Sequence, residues 1–132
     1  MNDDEFQPTQ RTWFAKFRDA FLGIALGVRG QSSFRVHLIC AVLVTAAGVV
    51  LRIDRMEWCL VGLCIIAVLA AEMFNSALER MAKAIDRRHN TDLGAALDIA
   101  SGAVLIVSFG AAVIGTIVFL HRLGVILTWW SA

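Results

Sequence analysis

Long apolar stretches separated by short polar segments dominate the chain from residue 36 onward. Three windows have the composition of membrane spans: 36–51, 58–78 and 99–120. The window 99–120 contains no charged side chain and exceeds the ~20 residues that a spanning helix needs. A helix buried in a soluble bundle normally keeps a polar stripe, and this window has none. The pattern therefore predicts three transmembrane helices.

The segment before the first window has a helical periodicity of its own. Its apolar side chains recur every three or four residues, so they share one face of a helix: Trp13, Phe17, Phe21, Ile24 and Val28. Basic residues flank this face, as is typical of an amphipathic helix that lies in the membrane interface. The same stripe would also suit a helix packed on the bundle, and the sequence leaves both interpretations open.

The expected architecture is an all-α membrane protein with an N-terminal amphipathic interfacial helix and three transmembrane helices. Residues 1–12 are expected to be a disordered polar N-terminus, and 125–132 a C-terminal tail. One membrane domain, 13–124, lies between them. Within it we expect the interfacial helix at 13–29 and spans at about 34–51, 57–85 and 95–121.

Composition supports a membrane location. Of the 132 residues, 58 % are hydrophobic and 17 % are charged, and the mean hydropathy is +0.70. Soluble domains average about 45–50 % apolar and about 25 % charged residues. A soluble enzyme and a disordered chain are both disfavoured by these values.

The distribution of basic residues predicts the orientation. Most of the 12 Lys and Arg residues lie before the first span or between the second and third spans. Such segments stay in the cytoplasm under the positive-inside rule. The acidic N-terminus does not have the pattern of a signal peptide. We expect a multi-pass protein of the cell inner (plasma) membrane with a cytoplasmic N-terminus.

The second span carries an unusual polar motif, Glu-Met-Phe-Asn-Ser-Ala-Leu-Glu, at residues 72–79. Glu72 follows fourteen uncharged residues, and an ionised group inside the membrane costs roughly 3 kcal/mol on insertion scales. Helical geometry places Glu72, Asn75 and Glu79 on one face. Two carboxylates there can divide proton transfer and cation binding between them. Alternatively, Glu79 is a solvated residue where the helix leaves the membrane.

A second polar group opens the third span. Asp98 precedes the long apolar run, and Ser101 lies one turn later on the same face. Asp98 is either part of a site or a residue that complements a helix dipole. The chain contains no Gly-x-x-x-x-Gly-Lys-Ser/Thr motif and no kinase-type glycine-rich loop, so a nucleotide enzyme would need an unconventional site.

These residues resemble the prokaryotic integral-membrane diacylglycerol kinase and undecaprenol kinase family. The family pattern Glu-x-x-Asn-Thr/Ser-Ala-Ile/Leu-Glu is matched at residues 72–79. The pattern Asp-x-x-x-x-Ala-Val-Leu, at the start of the last span, is matched from Asp98 onward. Segments around Phe21, Phe34 and Trp58 look like the undecaprenol kinase branch, and the resemblance covers roughly 14–122.

The resemblance implies a homotrimer with shared active sites. It also implies transfer of the ATP γ-phosphate, with Mg²⁺, to the hydroxyl of a membrane lipid, either diacylglycerol or undecaprenol. In this comparison Glu72 is the general base and contacts the lipid, and Asn75 supports the site. Glu79 binds the metal and, through it, ATP. Asp98 lines the nucleotide side, and Ser101 lies near the lipid.

Three positions depart from the family pattern. Gln31 stands where the family has a second metal-binding carboxylate, and a neutral amide is a weaker Mg²⁺ ligand. Leu97 replaces a lysine, and Lys83 replaces an aspartate. These departures motivate an alternative, a non-catalytic or weakly active membrane protein on the same scaffold. A second alternative is an ion-coupled channel in which Glu72 relays protons.

Overall fold

The computed structural model describes residues 12–30, 32–85 and 90–128, which form four α-helices and no strand within these ranges. The helices are α1 (Trp13–Gly30), α2 (Ser32–Leu51), α3 (Arg55–Ile85) and α4 (Thr91–Ile126). The expected all-α class is confirmed.

Three of these helices, α2, α3 and α4, are long and apolar enough to cross a membrane. With its 20 residues, α2 is about 30 Å long, which matches the hydrocarbon core of a bilayer. The 31 residues of α3 and the 36 of α4 exceed that thickness. Most large apolar side chains point outward, as expected where lipid surrounds the bundle. The three predicted spans are confirmed by length and composition.

Helix α4 is longer at both ends than the expected span 95–121. Asn90 caps its start, because its side-chain oxygen accepts hydrogen bonds from the backbone N–H groups of Asp92 (3.0 Å) and Leu93 (3.2 Å). The carboxylate of Asp92 in the first turn suits the positive end of the helix dipole. The helix ends at Ile126, inside the segment expected to be a tail. Residues 1–11 of the expected disordered N-terminus lie outside the described ranges.

A short turn joins α2 to α3. The backbone N–H of Ile53 donates to the carbonyl of Gly48 (3.1 Å), and that of Arg52 donates to Val49 (3.2 Å). This pairing, with Arg52 in the left-handed region (φ 51°), is a Schellman-type helix end. It satisfies carbonyl groups that would otherwise be unpaired at the end of α2.

The first turn of α3 is closed by a reciprocal pair of hydrogen bonds. The backbone N–H of Asp54 donates to the Glu57 carboxylate (2.8 Å), and the N–H of Glu57 donates to Asp54 (2.9 Å). This arrangement is a capping box with aspartate in the capping position. Glu57 is buried, and its carboxylate also contacts a neighbouring helix.

Helix α4 is attached to this turn at its far end. Nδ1 of His121 lies 3.4 Å from the Glu57 carboxylate, and Nε of Arg122 donates to the carbonyl of Leu51 at 3.0 Å. The buried residues Ile53, Val61 and Val118 pack together beside these contacts. Polar and apolar contacts together therefore hold α2, α3 and α4 at one end of the bundle.

We expect Glu57→Ala to lower the stability of the fold by about 1–2 kcal/mol, because it removes the capping box and the contact to His121. Thermal unfolding in detergent micelles measures the effect. Arg55→Ala, in the same exposed turn, is the matched control and should change the melting temperature little. Equal melting temperatures for the two variants would contradict this role of Glu57.

Candidate active site

The polar motif of α3 is buried, although most of the surface of the helix is not. Glu72 is 2 % exposed, Ser76 3 % and Asn75 9 %. Asn75 and Ser76 follow Glu72 by three and four residues of a continuous helix, so both lie on the same side of the helix as Glu72. The structure thus brings together two of the predicted site residues, Glu72 and Asn75, in a water-excluded region.

Glu79 extends this face by one more turn and is partly exposed. Nδ2 of Asn75 donates a hydrogen bond to the Glu79 carboxylate at 3.3 Å. Nζ of Lys83 lies 3.9 Å from the other carboxylate oxygen. The buried side chain of Asn75 is therefore bonded to the partly exposed carboxylate of Glu79.

Two polar atoms of this group have no hydrogen-bond partner in the described part of the chain. They are Oδ1 of Asn75 and Oγ of Ser76, and both are buried. Buried polar atoms are nearly always paired, and exceptions in native proteins call for an explanation such as strain, catalysis or an absent ligand. A ligand that supplies polar groups would complete this face.

The carboxylate and amide groups on this face of α3 suit a metal ion that arrives with a nucleotide better than a metal ion bound permanently by the protein. Within the described ranges, no group of three or more His, Cys, Asp or Glu side chains is placed to hold a metal ion. Mg²⁺ in nucleotide sites uses one or two carboxylates together with substrate phosphates and water. Glu79, which is partly exposed and held by Asn75, fits that smaller requirement.

The other predicted site residues are not part of this buried face. Asp98 and Ser101 lie in the first turns of α4, and both are exposed. No hydrogen bond or ion pair joins either of them to the polar face of α3 in the described part of the chain. Gln31 lies outside the described residues.

Helix α1 packs over the C-terminal half of α3 through two glycines. A Cβ atom on Gly27 would lie 2.5 Å from Sδ of Met73, and one on Gly30 would meet the guanidinium of Arg80. Nη2 of Arg80 donates to the carbonyl of Leu26 at 3.0 Å, near the negative end of the α1 dipole. No sequence pattern predicted this role of Arg80. The only signal for it was the three-residue spacing of the two glycines.

An apolar cleft of about 700 Å³ lies between α2, α3 and α4. It reaches Leu69, which is one helical turn before Glu72. Its few polar side chains are His37, Ser108 and Thr116, and small residues of α4 such as Ala112 leave it open. The sequence alone could not reveal it, because three separate helices form its walls.

The polar face of α3, formed by Glu72, Asn75, Ser76 and Glu79, lies within the segment of the chain that matches a known protein family. The family model described as prokaryotic diacylglycerol kinase matches residues 18–119. The chain therefore belongs to the prokaryotic diacylglycerol kinase family, and the expected family is confirmed. An undecaprenol kinase of Bacillus subtilis (strain 168) is 28 % identical over 123 residues, which cover 93 % of this chain and 100 % of that relative. No solved structure matches the chain.

We expect Arg80→Ala to loosen α1, because it removes the hydrogen bond to Leu26 and the guanidinium beside Gly30. Trypsin should then cleave after Lys16 and Arg18 several-fold faster in bicelles, as followed by mass spectrometry. Lys83→Ala is the control, since Lys83 pairs with Glu79 and leaves the α1 contacts intact. Unchanged cleavage rates in Arg80→Ala would show that this contact does not hold α1.

Proposed function

We propose that this chain is a lipid kinase that transfers the γ-phosphate of ATP to the hydroxyl group of a membrane lipid. Membership of the family indicates the reaction class. The observation that carries the proposal is the buried carboxylate of Glu72, which shares a helix face with Asn75 and Glu79 at the edge of a membrane span.

The proposed acceptor is diacylglycerol or undecaprenol, the two lipids in the names of the family and of the relative. Both carry a hydroxyl group on a long apolar body. The cleft between α2, α3 and α4 is apolar along most of its walls and ends one turn from Glu72. It therefore suits a hydrocarbon chain whose hydroxyl group lies at the level of Glu72.

The polar face supplies what phosphoryl transfer to an alcohol requires. Glu72 takes the proton of the lipid hydroxyl while the lipid oxygen forms a bond to the γ-phosphorus. The bond from that phosphorus to the bridging oxygen breaks, and ADP leaves with the electron pair. Catalysis of this kind depends mainly on positioning and charge neutralisation.

Glu79 and Asn75 are proposed to act on the nucleotide side of the reaction. Asn75 orients the Glu79 carboxylate through the hydrogen bond of 3.3 Å. When bound with ATP, Mg²⁺ would be held by these two side chains and would neutralise phosphate charge. Gln31 is proposed as a weaker, neutral ligand on the same side.

The proposed topology puts the nucleotide side of the site at the cytoplasmic surface of the membrane, where ATP is present. An N-terminus in the cytoplasm, as the basic residues indicate, puts α1 and the segment 72–85 at the cytoplasmic surface of the inner membrane. We further propose a homotrimer. In such an assembly the exposed side chains of Asp98 and Ser101 can lie opposite the polar face of α3 in a neighbouring protomer. Asp98 would then be directed toward the nucleotide and Ser101 toward the lipid.

We expect Glu72→Gln and Glu79→Gln each to lower lipid phosphorylation by at least about 100-fold, since one removes the base and the other the charged ligand. The assay measures transfer of labelled γ-phosphate from ATP to diacylglycerol and undecaprenol in mixed micelles. Asp92→Asn, an exposed carboxylate in the first turn of α4, is the control. Normal turnover in Glu72→Gln would refute the assignment of Glu72 as the general base.

A bulky side chain in the cleft should weaken lipid binding. We expect Ala112→Phe to raise the KM for lipid several-fold while kcat changes little, because it occupies the space proposed for the chain. Val113→Phe, on the next residue of α4 but outside the cleft, serves as the control. If both variants had the wild-type KM, the lipid chain would have to bind elsewhere.

A further inference from the structure

Ser76 is a buried polar residue for which the proposed reaction has no role so far. It is 3 % exposed, and its hydroxyl oxygen has no hydrogen-bond partner in the described part of the chain. A serine inside a helix usually donates to the carbonyl four residues earlier, as Thr45 and Thr116 do here at 2.8 Å. Ser76 does not make this bond, so its hydroxyl is free to serve another acceptor.

The position of Ser76 places it between two features already described. It follows Glu72 by one helical turn and lies on the same face. It is also on the stripe of α3 formed with Met73 and Arg80, the two residues that contact α1. Ser76 is therefore buried on the part of the α3 surface between Glu72 and the two residues that contact α1.

An alcohol in a water-free site needs one hydrogen-bond acceptor and one donor. Glu72 provides the acceptor for the hydroxyl proton, and Ser76 provides a donor for the hydroxyl oxygen. Asn75 has an unpaired acceptor, Oδ1, and one of the two N–H groups of its Nδ2 is already bonded to Glu79. Among these buried side chains, Ser76 is the one with a hydroxyl donor left for the substrate.

We propose that Ser76 is a substrate-binding residue whose hydroxyl donates a hydrogen bond to the oxygen of the acceptor alcohol while Glu72 takes its proton. The inference rests on the proposed lipid kinase function and adds a specific contact to it. Ser76 orients the attacking oxygen, and Glu72 alone carries the proton.

This role has a signature that a packing role lacks. Removing a buried hydroxyl without a partner relieves a desolvation penalty in the unliganded protein, so Ser76→Ala should leave the melting temperature unchanged or higher. The same change should lower kcat by about tenfold, the loss expected for one hydrogen bond to the reacting group. Stability and turnover would then respond in opposite directions.

The test compares wild type with Ser76→Ala, Ser76→Thr and Thr45→Ala in mixed micelles at saturating ATP. Initial rates over a range of lipid concentrations give kcat and KM, and thermal unfolding is measured on the same samples. We expect Ser76→Thr, which keeps the hydroxyl, to retain most of kcat. Thr45→Ala, which removes an exposed hydroxyl from α2, should match wild type. If the extra methyl of threonine unfolds the protein, Ser76→Ala decides, since it removes only one oxygen atom.

Three results would overturn the inference about Ser76. They are a kcat within twofold of wild type in Ser76→Ala, a loss of kcat accompanied by a lower melting temperature, and an equal loss in a folded Ser76→Thr. Wild-type protein with no ATP-dependent lipid phosphorylation would instead refute the proposed function itself. The two failures are therefore distinguishable in one experiment.

Discussion

The hydrocarbon interior of the bilayer offers no water to hydrogen-bond a backbone, and most of this structure follows from that constraint. Helices satisfy the constraint within each segment, so the chain crosses the membrane as α2, α3 and α4 with short connections. Each connection must also satisfy the last carbonyls and first N–H groups of the helices it joins. The Schellman-type end of α2, the capping box at Asp54 and Glu57, and the cap at Asn90 meet this need.

Polar side chains have partners at one end of the bundle, whereas at the other end some polar atoms lack them within the described residues. At the turn between α2 and α3, Glu57, His121 and Arg122 have defined partners and sit beside the buried apolar cluster. At the other end, Oδ1 of Asn75 and Oγ of Ser76 are buried without a partner among the described residues. A protein can carry such uncompensated groups only if the remainder of its contacts hold the helices in place. One end stabilises the fold, and the other holds the polar atoms for which we propose a role in the reaction.

The sequence predicted those features whose complete pattern lies within a single helix. The three spans follow from window length and composition, and the shared face of Glu72, Asn75 and Glu79 follows from helical periodicity. Contacts between helices were not predictable in this way. The hydrogen bond from Arg80 to Leu26 joins residues 54 positions apart, and no local pattern encodes it. Helix α4 begins at Thr91, four residues before the expected span, where the side chain of Asn90 caps its first turn.

The unequal lengths of the spans decide how deep the protein sits in the bilayer. With its 20 residues, α2 just covers the hydrocarbon core, whereas α3 and α4 have turns to spare at their ends. Because α2 has no spare length, movement of the protein along the membrane normal would bring one of its ends into the hydrocarbon core. The shortest span therefore limits how far the protein can move along the membrane normal, and the short turn to α3 passes this limit on to the helix that carries Glu72.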